Sequence, residues 1–157
     1  MGPHVIILIV DTERSDMMRV LIIDGQGGGI GRSLAERISQ KCRSTSITVV
    51  GTNSTATMNM LKASNALQGA TGENAIVYNC SRADVIIGPI GIALANAMLG
   101  EITPTMAAAV TSSEAQVFLL PSNKCAIDII GLQDKKLSAY VEEAVEKIAI
   151  LESTMEH

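Results

Sequence analysis

Residues 20–31 read VLIIDGQGGGIG: four apolar residues, an aspartate, then five glycines in seven positions. Ordering a glycine costs more backbone entropy than ordering any other residue, so a cluster this dense marks a chain that must turn sharply or pass close to something. The apolar run before it, and Ile30, Leu34 and Ile38 at spacings of four after it, predict a strand, a glycine loop and a helix. Free N–H groups at the start of such a helix carry about half a positive charge. They are a ready place for an anion.

The same alternation continues along the chain. SITVVGTN (46–53) predicts a second strand, followed by a helix through Met58, Leu61 and Leu67. ADVIIG (83–88) predicts a strand leading into a helix over IALANAML (92–99). Thr103-Pro104 opens another helix, with Thr as cap and Pro at the first helical position. QVFLLP (116–121) is the next strand, AIDIIGL (126–132) follows, and an amphipathic helix runs from about Lys135 to Leu151. ENAIVYNCS (73–81) is too short for its periodicity to separate strand from helix. Near-continuous apolar strands alternating with helices give an α/β fold: a doubly wound, mostly parallel sheet with helices on both faces, a Rossmann-like three-layer sandwich. Residues 1–18 read as an N-terminal extension or an extra edge strand, since VIILIVD (5–11) echoes VLIID (20–24). Residues 19–152 read as the single domain and 153–157 as a tail.

Composition narrows the function classes. Of 157 residues, 47% are apolar and 18% charged, which is the balance of a globular protein. A net charge of −4 with no long basic run, and only three aromatic residues, argues against a nucleic-acid surface. The apolar segment at 5–10 is too short to span a bilayer, and it lacks the basic start of a signal peptide. Cys42, Cys80 and Cys125 are few, odd in number and far apart, as in a reduced cytoplasmic protein. His4 and His157 lie at the termini, so no internal histidine is offered as a base, and no metal site is expected.

In a doubly wound sheet, ligands sit beyond the carboxyl ends of the strands. Gly25, Gly27, Gly28, Gly29, Ile30 and Gly31 would then form a phosphate cradle, with Arg32 and Ser33 in the first helical turn neutralising the phosphate. Gly25-x-Gly27-x-x-Ile30 is an imperfect GxGxxG, whereas Gly25-x-x-x-Gly29-Ile30-Gly31 resembles the loop of short-chain dehydrogenases and reductases. Their Tyr–Lys pair at a spacing of four is missing: Tyr78 meets Arg82 and Tyr140 meets Ala144. Only the phosphate-loop analogy is kept. Thr52, Asn53 and Ser54 end the second strand and would face a ribose or its phosphate. Gly88 and Pro89, at the end of another strand, would border the nucleotide.

Taken together, IDGQGGGIG (23–31), VGTNSTATMNMLKA (50–63), GATGENAIVYN (69–79), ADVIIGPIGI (83–92), GEITPTMA (100–107) and LPSNKC (120–125) resemble a family of short bacterial proteins catalogued as domain of unknown function 3842. The resemblance covers about Arg19 to Ile150. It implies a Rossmann-like fold and no assigned activity.

Catalytic candidates are sparse. GATGENAI (69–76) reads as a glycine-rich loop, or as a helix start capped by Thr71 with Glu73 and Asn74 in its first turn. Glu73 is the candidate acid or base there. Asn123, Lys124 and Cys125 gather at another strand end, where a lysine would lower the thiol pKa. Cysteine is, however, more often a small buried apolar group. The expectation is a nucleotide or dinucleotide site, NADP or NAD first. The alternatives are a non-catalytic nucleotide-sensing module, or a Cys125-dependent transferase or hydrolase acting on a phosphate-bearing substrate. Ala-rich helices permit a homodimer.

Overall fold

Five parallel strands run in the order β3-β2-β1-β4-β5, with the first strand at the centre of the sheet. The computed structural model describes residues 17–122 and 126–156. The strands are β1 (Met18–Asp24), β2 (Thr45–Gly51), β3 (Gln68–Thr71), β4 (Val85–Pro89) and β5 (Gln116–Leu120). The helices are α1 (Gly29–Lys41), α2 (Ser54–Leu61), α3 (Glu73–Cys80), α4 (Pro104–Thr111) and α5 (Leu137–Met155), with a 3-10 turn at Ile90–Ala93. The α/β sandwich read from the sequence is thus observed, and every strand pairing is parallel.

Alternation along β1 divides the core. Met18, Val20 and Ile22 face α1, α5 and Met60 of α2, while Leu21 and Ile23 face α3, α4 and the 3-10 turn. Burying each of these large side chains contributes about 1.5–3 kcal/mol. Asp84 ties the amino ends of β1 and β4 together by accepting from the Arg19 backbone N–H at 2.8 Å and from its guanidinium at 3.0–3.1 Å. The register aligns Asp24, Gly51 and Thr71 in one row at the carboxyl ends of β1, β2 and β3.

Several elements differ from expectation. The second helix stops at Leu61, and Leu67 precedes a strand instead of ending a helix. The stretch read as a glycine-rich loop supplies both β3 and the start of α3, whose N-cap is Gly72 and not Thr71. The helix expected over 92–99 is absent: beyond the 3-10 turn, Asn96, Met98 and Leu99 all have positive φ. Residues 126–132 form no regular element, and α5 begins at Leu137. Helix α4 matches its signals, with Thr103 Oγ1 accepting from the Met106 N–H at 3.1 Å and Pro104 at the first position. Residues 1–16 and the cluster Asn123, Lys124 and Cys125 lie outside the described residues.

Candidate functional site

Between β1 and α1 the glycines divide into two sets. Gly28 is the N-cap of α1 with φ 71°, and a β-carbon there would lie 2.7 Å from the Ala56 carbonyl oxygen. A β-carbon at Gly25 would lie 2.5 Å from Met98 Sδ and 2.8 Å from Thr52 Oγ1, and one at Gly31 would collide with Met60 Sδ. These three are glycine because protein packs onto them. Gly27 and Gly29 have no atom within 4 Å of such a β-carbon and stand exposed.

Asp24 organises this loop. Its buried carboxylate accepts from the Gly25 N–H at 2.7 Å and from the Gly31 N–H at 2.8 Å, so it caps α1 from the end of β1. The Gly28 and Arg32 N–H groups are also taken, by the Gly25 and Gly28 carbonyls. The N–H groups of Gly27, Gly29 and Ile30 have no acceptor among the described residues. The Gly28–Ala56 approach sets the start of α2 beside them. Asn53 caps α2 through its Oδ1, which accepts from the Ala56 N–H, leaving Ser54 and Thr55 exposed at the first two helical positions. A shallow groove lined by Gly27, Ser54, Thr55, Met58, Asn59 and Lys62 runs between the two helix starts. Arg32 lies at its edge, donating to Glu36 and to Asn59 Oδ1, and Ser33 is exposed.

The inner half of the site is occupied by the chain itself. Glu101, from the segment between β4 and α4, accepts from the Gln26 N–H at 3.1 Å, from Thr52 Oγ1 at 2.8 Å and from Asn53 Nδ2 at 2.5 Å. Burial raises the Glu101 pKa, but these three bonds outweigh it and hold the carboxyl below its ordinary 4.5. Thr52 and Asn53 therefore turn toward Glu101, not outward. Met98 reaches from the same segment to within contact of both Gly25 and Gly91, filling the crevice between the ends of β1 and β4 where strand order switches. Gly88 backs onto the Ile23 carbonyl within the sheet, and Pro89 is buried. Glu73 accepts from Thr103 Oγ1 at 2.5 Å and is exposed.

Sequence reading missed Asp24 as a cap and Glu101 altogether. An acidic residue directly before a glycine run was the available signal for Asp24. Nothing near Glu101 in the sequence marks a partner 75 residues away. A cavity of about 820 Å³ lies at the opposite end of the sheet, lined by Met17, Arg19, Tyr78, Arg82 and Asp84 among others. In a parallel sheet the amino ends are not where ligands gather.

A model of the family described as domain of unknown function (DUF3842) matches residues 19–153. The chain belongs to DUF3842. No curated protein matches the sequence. Among solved structures, a hypothetical protein from Streptococcus mutans is similar at 14% identity over 87% of this chain and 56% of its own, with a TM-score of 0.48. A ribokinase-like superfamily protein from Enterococcus faecalis V583 is 19% identical over 47% of this chain and 27% of its own, with a TM-score of 0.41. A dodecameric FMN-dependent Ubix-like decarboxylase from Escherichia coli O157:H7 is 14% identical over 84% and 76%, with a TM-score of 0.40. The DUF3842 chain thus spans about a quarter of the ribokinase-like protein and about half of the Streptococcus protein. Among the described residues no helix is long and apolar enough to cross a membrane, and no group of three acidic, histidine or cysteine side chains is placed to hold a metal ion.

Proposed function

We propose that this DUF3842 domain binds a nucleotide or dinucleotide, NAD(H) or NADP(H) first, with a phosphate at the start of α1. The observation that carries the reading is the set of N–H groups of Gly27, Gly29 and Ile30, which lack acceptors among the described residues, with Gly27 and Gly29 exposed and uncrowded. The start of α2, with the Ser54 and Thr55 hydroxyls, adds a second helix dipole of the same sign beside them. Strand, glycine loop and helix in that order at the switch point of a 3-2-1-4-5 sheet form the arrangement that holds a pyrophosphate in dinucleotide folds.

A sensing or binding role fits better than hydride transfer. Glu73, the one catalytic candidate within the described residues, is exposed and bonded to a helix cap, and Met98 occupies the crevice where the reacting half of a dinucleotide would lie unless the loop that carries it moves. The test is a thermal-shift panel of NAD, NADP, ADP-ribose, ATP and FMN on the wild-type protein and Gly29→Asp. Gly29 has open surroundings, so the aspartate leaves the fold intact and places a negative charge against the phosphate. A ligand at a hundred times its Kd adds about 2.7 kcal/mol. The wild type should shift and the variant should not; no shift with any nucleotide ends the proposal.

A further inference from the structure

Residues 96–102 form a closed loop over the switch point. The Asn96 N–H donates to the Ile102 carbonyl at 2.7 Å and the Ile102 N–H to the Ala97 carbonyl at 3.2 Å, so the loop's ends meet. Within it Asn96, Met98, Leu99 and Gly100 are all left-handed, at φ 63°, 56°, 57° and 90°. Methionine and leucine rarely adopt this conformation, and it persists only where the surroundings enforce it. The base of the loop is anchored, since Ile102 is fully buried and Ala97 packs against the same core. Leu99 is 99% exposed and packs on nothing. What holds the tip down is Met98, seated between Gly25 and Gly91, and the Glu101 carboxylate.

The donors that Glu101 takes are a backbone N–H in the glycine loop, a hydroxyl and a carboxamide at the end of β2. A phosphate or ribose oxygen entering the inner half of the site would need the same donors. A side chain with a negative charge already sits on them.

We infer that the tip of this loop, Met98 to Glu101, is an autoinhibitory cover, with Glu101 standing in for an oxygen of the ligand and Met98 closing the crevice behind it. A ligand reaching the inner half must displace both, and the left-handed residues lower the cost of lifting the loop because the strain is released as it opens. The ligand class rests on the nucleotide reading above; the closing contact itself is measurable without any ligand.

The experiment compares the full chain with Glu101→Ala and, as a second route to the same opening, Met98→Ala. Amide hydrogen exchange is followed at Gln26 and through 96–102, and affinity for ADP-ribose is measured alongside. Both variants should exchange faster at these amides, with the rest of the sheet unchanged. Each should also bind ADP-ribose about tenfold more tightly, the effect of removing 1.4 kcal/mol of competing contact. Unchanged exchange at Gln26 and 96–102 in both variants overturns the cover. Faster exchange with weaker ADP-ribose binding also overturns it, because Glu101 would then hold the ligand instead of competing with it. Faster exchange with no ADP-ribose binding by any of the three proteins supports the closing contact and removes ADP-ribose from the candidate ligands.

Discussion

Gly28 and Gly29 are neighbours with opposite requirements. Gly28 needs both a positive φ and the absence of a β-carbon, since the Ala56 backbone lies against it. Gly28→Ala should therefore cost about 1–3 kcal/mol in urea denaturation. Gly29→Ala should be neutral or gain up to about 1 kcal/mol, because nothing crowds it and alanine loses less entropy on folding. Asp24 makes a third case. Asp24→Asn removes a charge that receives two N–H groups and turns a donor toward one of them, so it should cost about 1.5–3 kcal/mol. In the sequence all five glycines read as one cradle. The packing partners that separate Gly25, Gly28 and Gly31 from the open pair come from Thr52, Ala56, Met60 and Met98, and no local pattern reveals them.

The elements most legible in the sequence were those whose burial and local signals agree. Strand β1 is apolar on both faces because helices cover both, and α4 announces itself by Thr103 and Pro104. Strand β3 was illegible because QGAT is short and lies at the sheet edge, held by pairing to β2 and not by apolar burial. The helix expected at 92–99 failed for a different reason. Its residues have good helical propensity, yet tertiary contacts at Met98 and Glu101 pull them into left-handed turns. That strain is testable. Leu99→Gly removes a φ of 57° at a side chain that buries nothing, and should stabilise the protein by up to about 1 kcal/mol after glycine's own entropy cost. The Glu101 bonds add a pH dependence of definite sign. The folded carboxyl ionises below 4.5, so its contribution is complete above that value and is lost as pH falls through the lower folded pKa. Exchange through 96–102 should accelerate in that acidic range.

Across the whole molecule the two described cysteines sit on opposite faces of the sheet, Cys42 in the core with α1 and α5 and Cys80 in the core with α3 and α4. Burial pushes both thiols up to about 11, with Glu152 adding to the effect at Cys42. Alkylation with iodoacetamide at pH 7.5 should therefore spare both until the protein unfolds, and should then label both in one step if the two cores melt together. The protonated thiols are favoured in the fold, so stability from this source is present below pH 9 and declines as pH rises from 9 toward 11.

The central place of β1 has a consequence for how this chain must come together. β1 pairs with β2 on one side and with β4 on the other, and β4 begins only at Val85. A nascent chain that has delivered β1, α1, β2, α2 and β3 can assemble half a sheet. It still carries β1 with a bare row of backbone donors and acceptors, the kind of edge that recruits other chains. Long-range parallel pairings of this kind form slowly. Synthesis paused before Val85 is therefore the point of greatest aggregation risk, and a fragment ending near residue 83 should need a chaperone that the full chain does not.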